Sequence, residues 1–372
     1  MKRIGNLYDA ISSPDNIRAA ILNASRGKRN HAGVQAILDD LDNKTVELST
    51  AFKTDTLVLH SYTPCTRKEG SNNKTRLIHK PQFWPDQCIH WAIYNVIGPI
   101  IYKSFYPLTC GSIPGRGVHY GKRFIERWVQ RDWKNTRYYL KMDVHHFYPS
   151  IPNEKIKAAI RHKFKDKRLL ALIDRIIDMD DGLPIGMLLS QCFANFYLAP
   201  LDFYIKQQLG AVYYMRYMDD MVVFGPNKKK LHRMRVQIQE WLREAGLELK
   251  SNWQVRKTKN EPLDFMGFRF FRDRTILRRA IMFRITRRVN RVGRKGARAS
   301  ARDAAAVVSY MGWIRATNTY GMYEKWIKPK VSIKRMKSII RRESHVHCAI
   351  AKHRAPAGMG YAEQSGDRIP QH

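Results

Sequence analysis

Apolar positions along the chain change their spacing several times, and each change predicts an element. Residues 1 to about 60 carry Ile and Leu among charges at helical intervals, as in Val34 to Leu48, which predicts an amphipathic helical lead-in. Residues 53 to 80 read as hairpin material: Thr56-Leu57-Val58-Leu59 as a strand, Arg67 to Asn73 as a polar turn, and Lys74-Thr75-Arg76-Leu77-Ile78 as the returning strand. Strand alternation puts Lys74 and Arg76 on one face. Gln82 to Tyr102 reads as a helix, Cys110 to Gly117 as a glycine-rich turn and Gly121 to Lys134 as a basic amphipathic helix. The strand-like run from Tyr138 delivers Asp143 at its end. Glu154 to Ile177 is a helical stretch rich in Lys and Arg, and Gly182 to Gln191 is a glycine-containing loop that opens an apolar helix through Phe193 and Leu198. Tyr213 to Phe224 places two β-prone apolar runs around a polar centre, the pattern of a tight hairpin. An amphipathic helix from Lys228 to Gly246, a hairpin from Asp264 to Phe270 and a helix from Ala301 to Ile314 follow, and the tail beyond about residue 350 reads as disordered.

The centre of the Tyr213–Phe224 hairpin is Asp219-Asp220. Adjacent acids are ordinary in an exposed turn. Between buried strands they repel each other and lose hydration, and a divalent cation removes both penalties. The chain of 372 residues has 67 Lys and Arg against 32 Asp and Glu, a net charge of +35, which favours a polyanion, either nucleic acid or an anionic membrane surface. The basic residues are densest from Arg272 to Arg302, before the aromatics Trp313, Tyr320, Tyr323 and Trp326, a mixture that suits a nucleic-acid backbone. There is no apolar run near 18 residues and no signal-peptide pattern, so a cytoplasmic protein is expected. The five scattered cysteines form no CxxC pair and read as reduced thiols.

Tyr217-Met218-Asp219-Asp220, followed by Met221-Val222-Val223, resembles the palm hairpin of reverse transcriptases. The run Tyr138 to Ile151, with Asp143, Phe147-Tyr148 and Pro149, resembles the first palm motif of the same enzymes. The resemblance covers roughly residues 50 to 330. It implies an α+β right-hand polymerase fold: a helical lead-in and fingers over 1–135, a palm with a small antiparallel sheet over 136–270 (150–185 as an insertion), a basic helical thumb over 271–350, and the tail. It implies an RNA-directed DNA polymerase that uses two Mg²⁺ ions, with Mn²⁺ as a substitute, held by Asp143, Asp219 and Asp220 and by the Val144 carbonyl. Lys74 and Arg76 suit an incoming triphosphate, Tyr148 would exclude ribonucleotides, and Ile185, Gly186 and Gln191 would border the nucleotide. Primer and nucleic-acid contacts fall to Tyr217, Met218, Phe265, Met266, Gly267, Arg278, Arg279, Arg287 and Arg288.

Within that family, Ile185-Gly186-x-x-x-Ser190-Gln191 and Asn252-Trp253-Gln254-Val255 look like the reverse transcriptases of diversity-generating retroelements, which copy a template RNA with errors at adenines beside a small basic helical-bundle accessory protein. Ile113 stands where many relatives carry Arg, with Arg116 as a replacement, and Trp253 stands where many carry a Lys proposed as general acid, with Lys250 and Lys257 as alternatives. The rival readings are an antiphage-defence or retron-like reverse transcriptase and a non-catalytic RNA-binding scaffold.

Overall fold

A computed structural model describes residues 3–69 and 74–354; for Lys68, Glu69, Lys74 and residues 344–354 it describes the backbone alone. The chain divides into two compact units, Met1–Thr275 and Ile276–His372.

The first unit opens with α1 (Tyr8–Ser12), α2 (Pro14–Ser25), α3 (Ala32–Asp39) and α4 (Leu41–Lys53). The amphipathic run from Val34 to Leu48 is therefore two helices. Asp40 leaves the helical conformation (φ −112°, ψ 33°), and its side chain accepts from the Asn43 side chain at 2.7 Å.

Thr56–Leu59 is irregular, contrary to the strand expected there. Its neighbourhood gives its backbone groups to side chains: Leu57 O accepts from Arg175, and His60 N donates to Asp86. The hairpin strand lies further on, as β1 (Thr63–Glu69) against β2 (Lys74–Lys80), with Arg67 opposite Arg76 and Glu69 opposite Lys74. The expected turn is shorter than Arg67–Asn73, and residues 70–73 lie outside the described residues.

Helix α5 (Cys88–Tyr102) begins later than Gln82 because Pro85 forces Trp84 out of the helical region (φ −117°, ψ 130°). After β3 (Thr109–Cys110), α6 (Val118–Arg131) and β4 (Tyr138–Asp143), the expected helix over Glu154–Ile177 is split into α7 (Asn153–Lys163) and α8 (Lys167–Ile177). Asp166 makes the break. It caps α8 through Leu169 N and accepts from Leu7 N and Tyr8 N with its other oxygen.

Next come α9 (Leu188–Tyr197), α10 (Ala199–Phe203), β5 (Tyr213–Tyr217), β6 (Asp220–Gly225), α11 (Lys228–Glu244), β7 (Gln254–Lys257), β8 (Leu263–Phe265) and β9 (Phe268–Phe270), with β10 (Thr275–Leu277) at the division between the units. The central sheet has the order β3-β5-β6-β4-β7 and is antiparallel except for the short β3–β5 pair. Leu140, Met142, Met221 and Val223 of the sheet join one core with Ile97, Phe193 and the apolar stripe Leu231, Met234, Ile238 and Leu242 of α11.

The second unit contains α12 (Arg279–Lys295), α13 (Ala301–Arg315), α14 (Tyr320–Met322) and α15 (Ile333–Arg354). Ile285, Val289 and Val292 form the buried stripe of α12, and Ala304, Val307, Met311 and Ile314 that of α13. Arg284, Arg287, Arg291 and Arg294 of α12 are exposed. Where a disordered tail was expected from 351, α15 runs on to Arg354; residues 355–372 lie outside the described residues. None of the described helices is long and apolar enough to cross a membrane.

His90 of α5 is buried and its Nε2 has no hydrogen-bond partner; burial pushes the ring pKa down to about 4. The unfolded chain therefore binds the proton first, and stability should fall as pH drops from about 6.5 to 4, by roughly 3 kcal/mol in full. Urea unfolding at pH 7 and pH 4.5 measures this, and His90→Leu should flatten the difference.

Candidate active site

Register fixes the hairpin. Tyr217 pairs with Asp220, which leaves Met218 and Asp219 as a two-residue loop. Met218 has φ +55°, a left-handed conformation that such loops usually give to Gly. The β4–β6 register sets Asp143 directly opposite Asp220, so their side chains share a face with Cβ atoms about 5 Å apart. Val144 N donates to Asp219 O at 3.4 Å, which ties the end of β4 to the turn. The expected hairpin and the expected strand end thus bring Asp143, Asp219 and Asp220 together.

Burial, followed by the charges of Asp143 and Asp220, pushes the Asp219 carboxyl up to about 7. Asp143 Oδ1 is buried with no hydrogen-bond partner, and the ammonium of Lys250 meets Oδ2. Among the described residues, no three His, Cys, Asp or Glu side chains are gathered closely enough to hold a metal ion. The donor chemistry still fits a hard divalent cation: repelling carboxylates, an orphaned oxygen, and a lysine supplying the counter-charge.

Of the two lysines considered in place of Trp253, Lys250 lies at this centre, its N–H donating to Asp143 O at 2.9 Å. Lys257 pairs with Tyr138 at the far end of β4, about 16 Å along the strand from Asp143. Trp253 is half-buried, with Arg235 4.7 Å from its ring centre. Ile113 belongs to the buried core, and Arg116 donates to Tyr106 O at 3.0 Å.

Tyr148 connects the carboxylates to the candidate nucleotide side. Its hydroxyl pKa is raised, first by burial and then by Asp219, and lowered in part by Arg76. The glycine-rich loop is docked at both ends. Leu183 N donates to Tyr148 O at 2.9 Å, and a Cβ on Gly182 (φ +74°) would lie 2.3 Å from Pro149 O. At the other end Ile185 O accepts from His79 N at 2.9 Å, and a Cβ on Gly186 (φ +112°) would lie 2.6 Å from Ile78 Cγ2. The loop therefore lies against β2, the strand of Lys74 and Arg76, and Gln191 follows in the first turn of α9. Gly186→Ala should break the His79–Ile185 bond, cost roughly 1–3 kcal/mol of stability and raise KM for dNTP; melting curves and steady-state extension would measure the two effects.

On the other side of the sheet's end, Met266 (φ +52°) and Gly267 (φ +88°) turn the β8–β9 hairpin, and Met266 packs so closely on Gly121 of α6 that a Cβ there would lie 2.8 Å from its sulfur. Phe265 is buried and Tyr217 half-buried. Lys141 of β4 donates to Asp264 O at 2.8 Å and so joins this hairpin to the strand of Asp143. Arg278, Arg279, Arg287 and Arg288 belong to the second unit, where Arg279 lies 5.2 Å from the Phe283 ring centre and Arg288 3.9 Å from Asp303. Sequence reading missed Lys141 and Arg216 as structural participants; the available signal was a lone cation inside an otherwise apolar strand.

Residues 66–270 match the family of reverse transcriptase (RNA-dependent DNA polymerase). The chain belongs to that family. It is 22% identical over 325 residues to Protein YkfC of Escherichia coli K12, covering 73% of this chain and 84% of that protein. It is 34% identical over 139 residues to the Retron Ec73 reverse transcriptase of Escherichia coli, covering 33% of this chain and 43% of that one. Among solved structures, apo telomerase from Candida tropicalis truncated from its C-terminal domain aligns with a TM-score of 0.43 at 12% identity, over 61% of this chain and 56% of that chain. Membership gives the reverse transcriptase its enzyme class, RNA-directed DNA polymerase, and the mixed α/β architecture with its small, mainly antiparallel sheet is the fold of that class. Reverse transcriptase domains use divalent metal ions.

Proposed function

We propose that this reverse transcriptase makes error-prone, adenine-directed cDNA from a retroelement template RNA, as the diversity-generating type does. In this reading residues 1–135 are lead-in and fingers, 136–270 the palm and 271–350 the thumb. Asp143, Asp219 and the Val144 carbonyl would hold two divalent cations, with Asp220 in support. Divalent cations held there, Mg²⁺ with Mn²⁺ as substitute, would supply the charge neutralisation that nucleotidyl transfer requires. The primer 3′ oxygen bonds to the α-phosphorus of the dNTP as the bond from that phosphorus to the α,β-bridging oxygen breaks, pyrophosphate leaves, and the 3′-hydroxyl proton passes to water. Lys250 pairs with Asp143. Arg76 would meet the triphosphate, with Lys74 assigned to the same role from sequence, Tyr148 would close the space a 2′-hydroxyl needs, and Met266 with Gly267 would support the primer end. Template RNA, cDNA and dNTPs are the partners, with a small basic helical-bundle accessory protein beside them in the cytoplasm.

The observation that carries the error-prone reading is Ile185. Its carbonyl is committed to β2, and its half-buried side chain has no donor or acceptor with which to hold a nucleotide. A missing contact worth about 1–3 kcal/mol loosens discrimination between right and wrong nucleotides. Primer extension on an adenine-rich RNA with Mg²⁺, followed by sequencing, tests it. Errors should concentrate at template adenines, and Ile185→Gln should reduce them roughly 10-fold. A flat error spectrum unchanged by Ile185→Gln would reject the reading. It would favour the retron-like alternative, which the 34% identity to the Retron Ec73 enzyme supports.

A further inference from the structure

Beneath the Met218–Asp219 turn lies an enclosed polar cluster. The side chains of Arg216 and Asp202 are both 0% exposed. The guanidinium uses each of its N–H donors. Nε donates to Asp202 Oδ1 at 2.7 Å; Nη2 donates to Asp202 Oδ2 at 2.7 Å and Asn195 O at 3.3 Å; Nη1 donates to Asn195 Oδ1 at 2.9 Å and Met218 O at 3.0 Å. Asp202 also accepts from Tyr214 Oη at 2.7 Å and Thr109 Oγ1 at 2.6 Å. Asn195 Nδ2 donates to Gly111 O at 3.0 Å and contacts Met218 Sδ at 3.2 Å, while Met218 N donates to Cys110 O at 3.0 Å. Met218 is thus gripped at its N–H by β3, at its carbonyl by β5 and at its sulfur by α9.

Core cohesion does not account for this cluster. A buried, fully hydrogen-bonded ion pair is about neutral for stability beside apolar residues of the same volume. Apolar residues cannot supply the donor to Met218 O, and that donor holds a non-glycine residue in a left-handed conformation next to two carboxylates. We propose that Arg216, oriented by Asp202 and Asn195, is a positioning residue: it sets the Met218–Asp219 peptide and through it the Asp219 and Asp220 carboxylates for cation binding and nucleotidyl transfer. This rests on the reading of Asp143, Asp219 and Asp220 as the reacting centre.

The experiment compares wild type, Asp219→Asn, Arg216→Lys and a repacked variant, Arg216→Met with Asp202→Leu, Tyr214→Phe and Thr109→Val, which removes both charges together with the hydroxyls that served them. Folding is followed by thermal melting, Mn²⁺ affinity by electron paramagnetic resonance of the free ion, and turnover by primer extension per folded molecule. The repacked variant should fold, bind Mn²⁺ about tenfold more weakly and lose about a hundredfold in kcat, with KM for primed template unchanged. Arg216→Lys keeps a charge but loses the planar fork, and should show a smaller loss in the same two quantities. A repacked variant within about threefold of wild type in Mn²⁺ affinity and kcat would overturn the proposal. If that variant does not fold, Arg216→Lys decides by the same limits. Wild type that neither binds Mn²⁺ nor loses activity on Asp219→Asn would overturn the underlying reading of the centre.

Discussion

Asp219→Asn is expected to lower single-turnover primer extension by about 10³-fold or more while leaving the fold intact. Three observations make this the largest effect. Asp219 lies in the hairpin loop whose register brings Asp143 and Asp220 face to face. Its carboxyl is raised to about 7 by burial and by those two neighbours, so on balance the protein disfavours its charge. Losing one ligand to a cation that neutralises phosphoryl-transfer charge is worth several kcal/mol, and about 4 kcal/mol is 10³-fold. Asn keeps the shape and removes a repelled charge. The metal-free variant should therefore melt no earlier than wild type, while the upward shift that Mg²⁺ gives wild type should disappear. Extension within tenfold of wild type would exclude Asp219 as a ligand.

Tyr148→Ala should raise the use of ribonucleotides relative to deoxyribonucleotides by roughly 100-fold, through loss of steric exclusion. Tyr148 is half-buried, packs against Phe147 with ring centres 5.4 Å apart, and responds to both Asp219 and Arg76. It therefore lies near both a candidate metal ligand and the candidate triphosphate contact. Competing incorporation of dATP and ATP on one template measures the ratio. Tyr148→Phe should keep wild-type discrimination, because bulk and not the hydroxyl is required. A purely packing role predicts a lower melting temperature and slower synthesis for Tyr148→Ala, with sugar selectivity unchanged.

The elements nearest the carboxylates were legible because the local signal was strong: β-prone apolar runs on both sides of two acids can hardly be anything but strands meeting at a turn. The Gly182–Gly186 loop was legible as a glycine-containing loop that opens a helix, but not that its glycines pack against Pro149 and Ile78. Most of the misses come from polar side chains that bond locally or take backbone groups that pattern alone assigns to a helix or ladder, whereas the late start of α5 comes from Pro85. Asp40 and Asp166 broke apparent single helices by bonding locally, and Arg175 and Asp86 claimed the backbone of 57–60 that would otherwise read as a strand. Lys250 could be named as a candidate but not chosen over Lys257. The choice depends on strand pairing across more than a hundred residues, which puts one at Asp143 and the other at Tyr138.

The Lys141–Asp264 link has a mechanical consequence. Lys141 and Asp143 are two residues apart on β4, about 7 Å, and the β8–β9 hairpin is tied to the first while the second ends the strand among the carboxylates. If the β8–β9 hairpin carries the primer end, as proposed above, that span sets how far the primer end stands from the carboxylates.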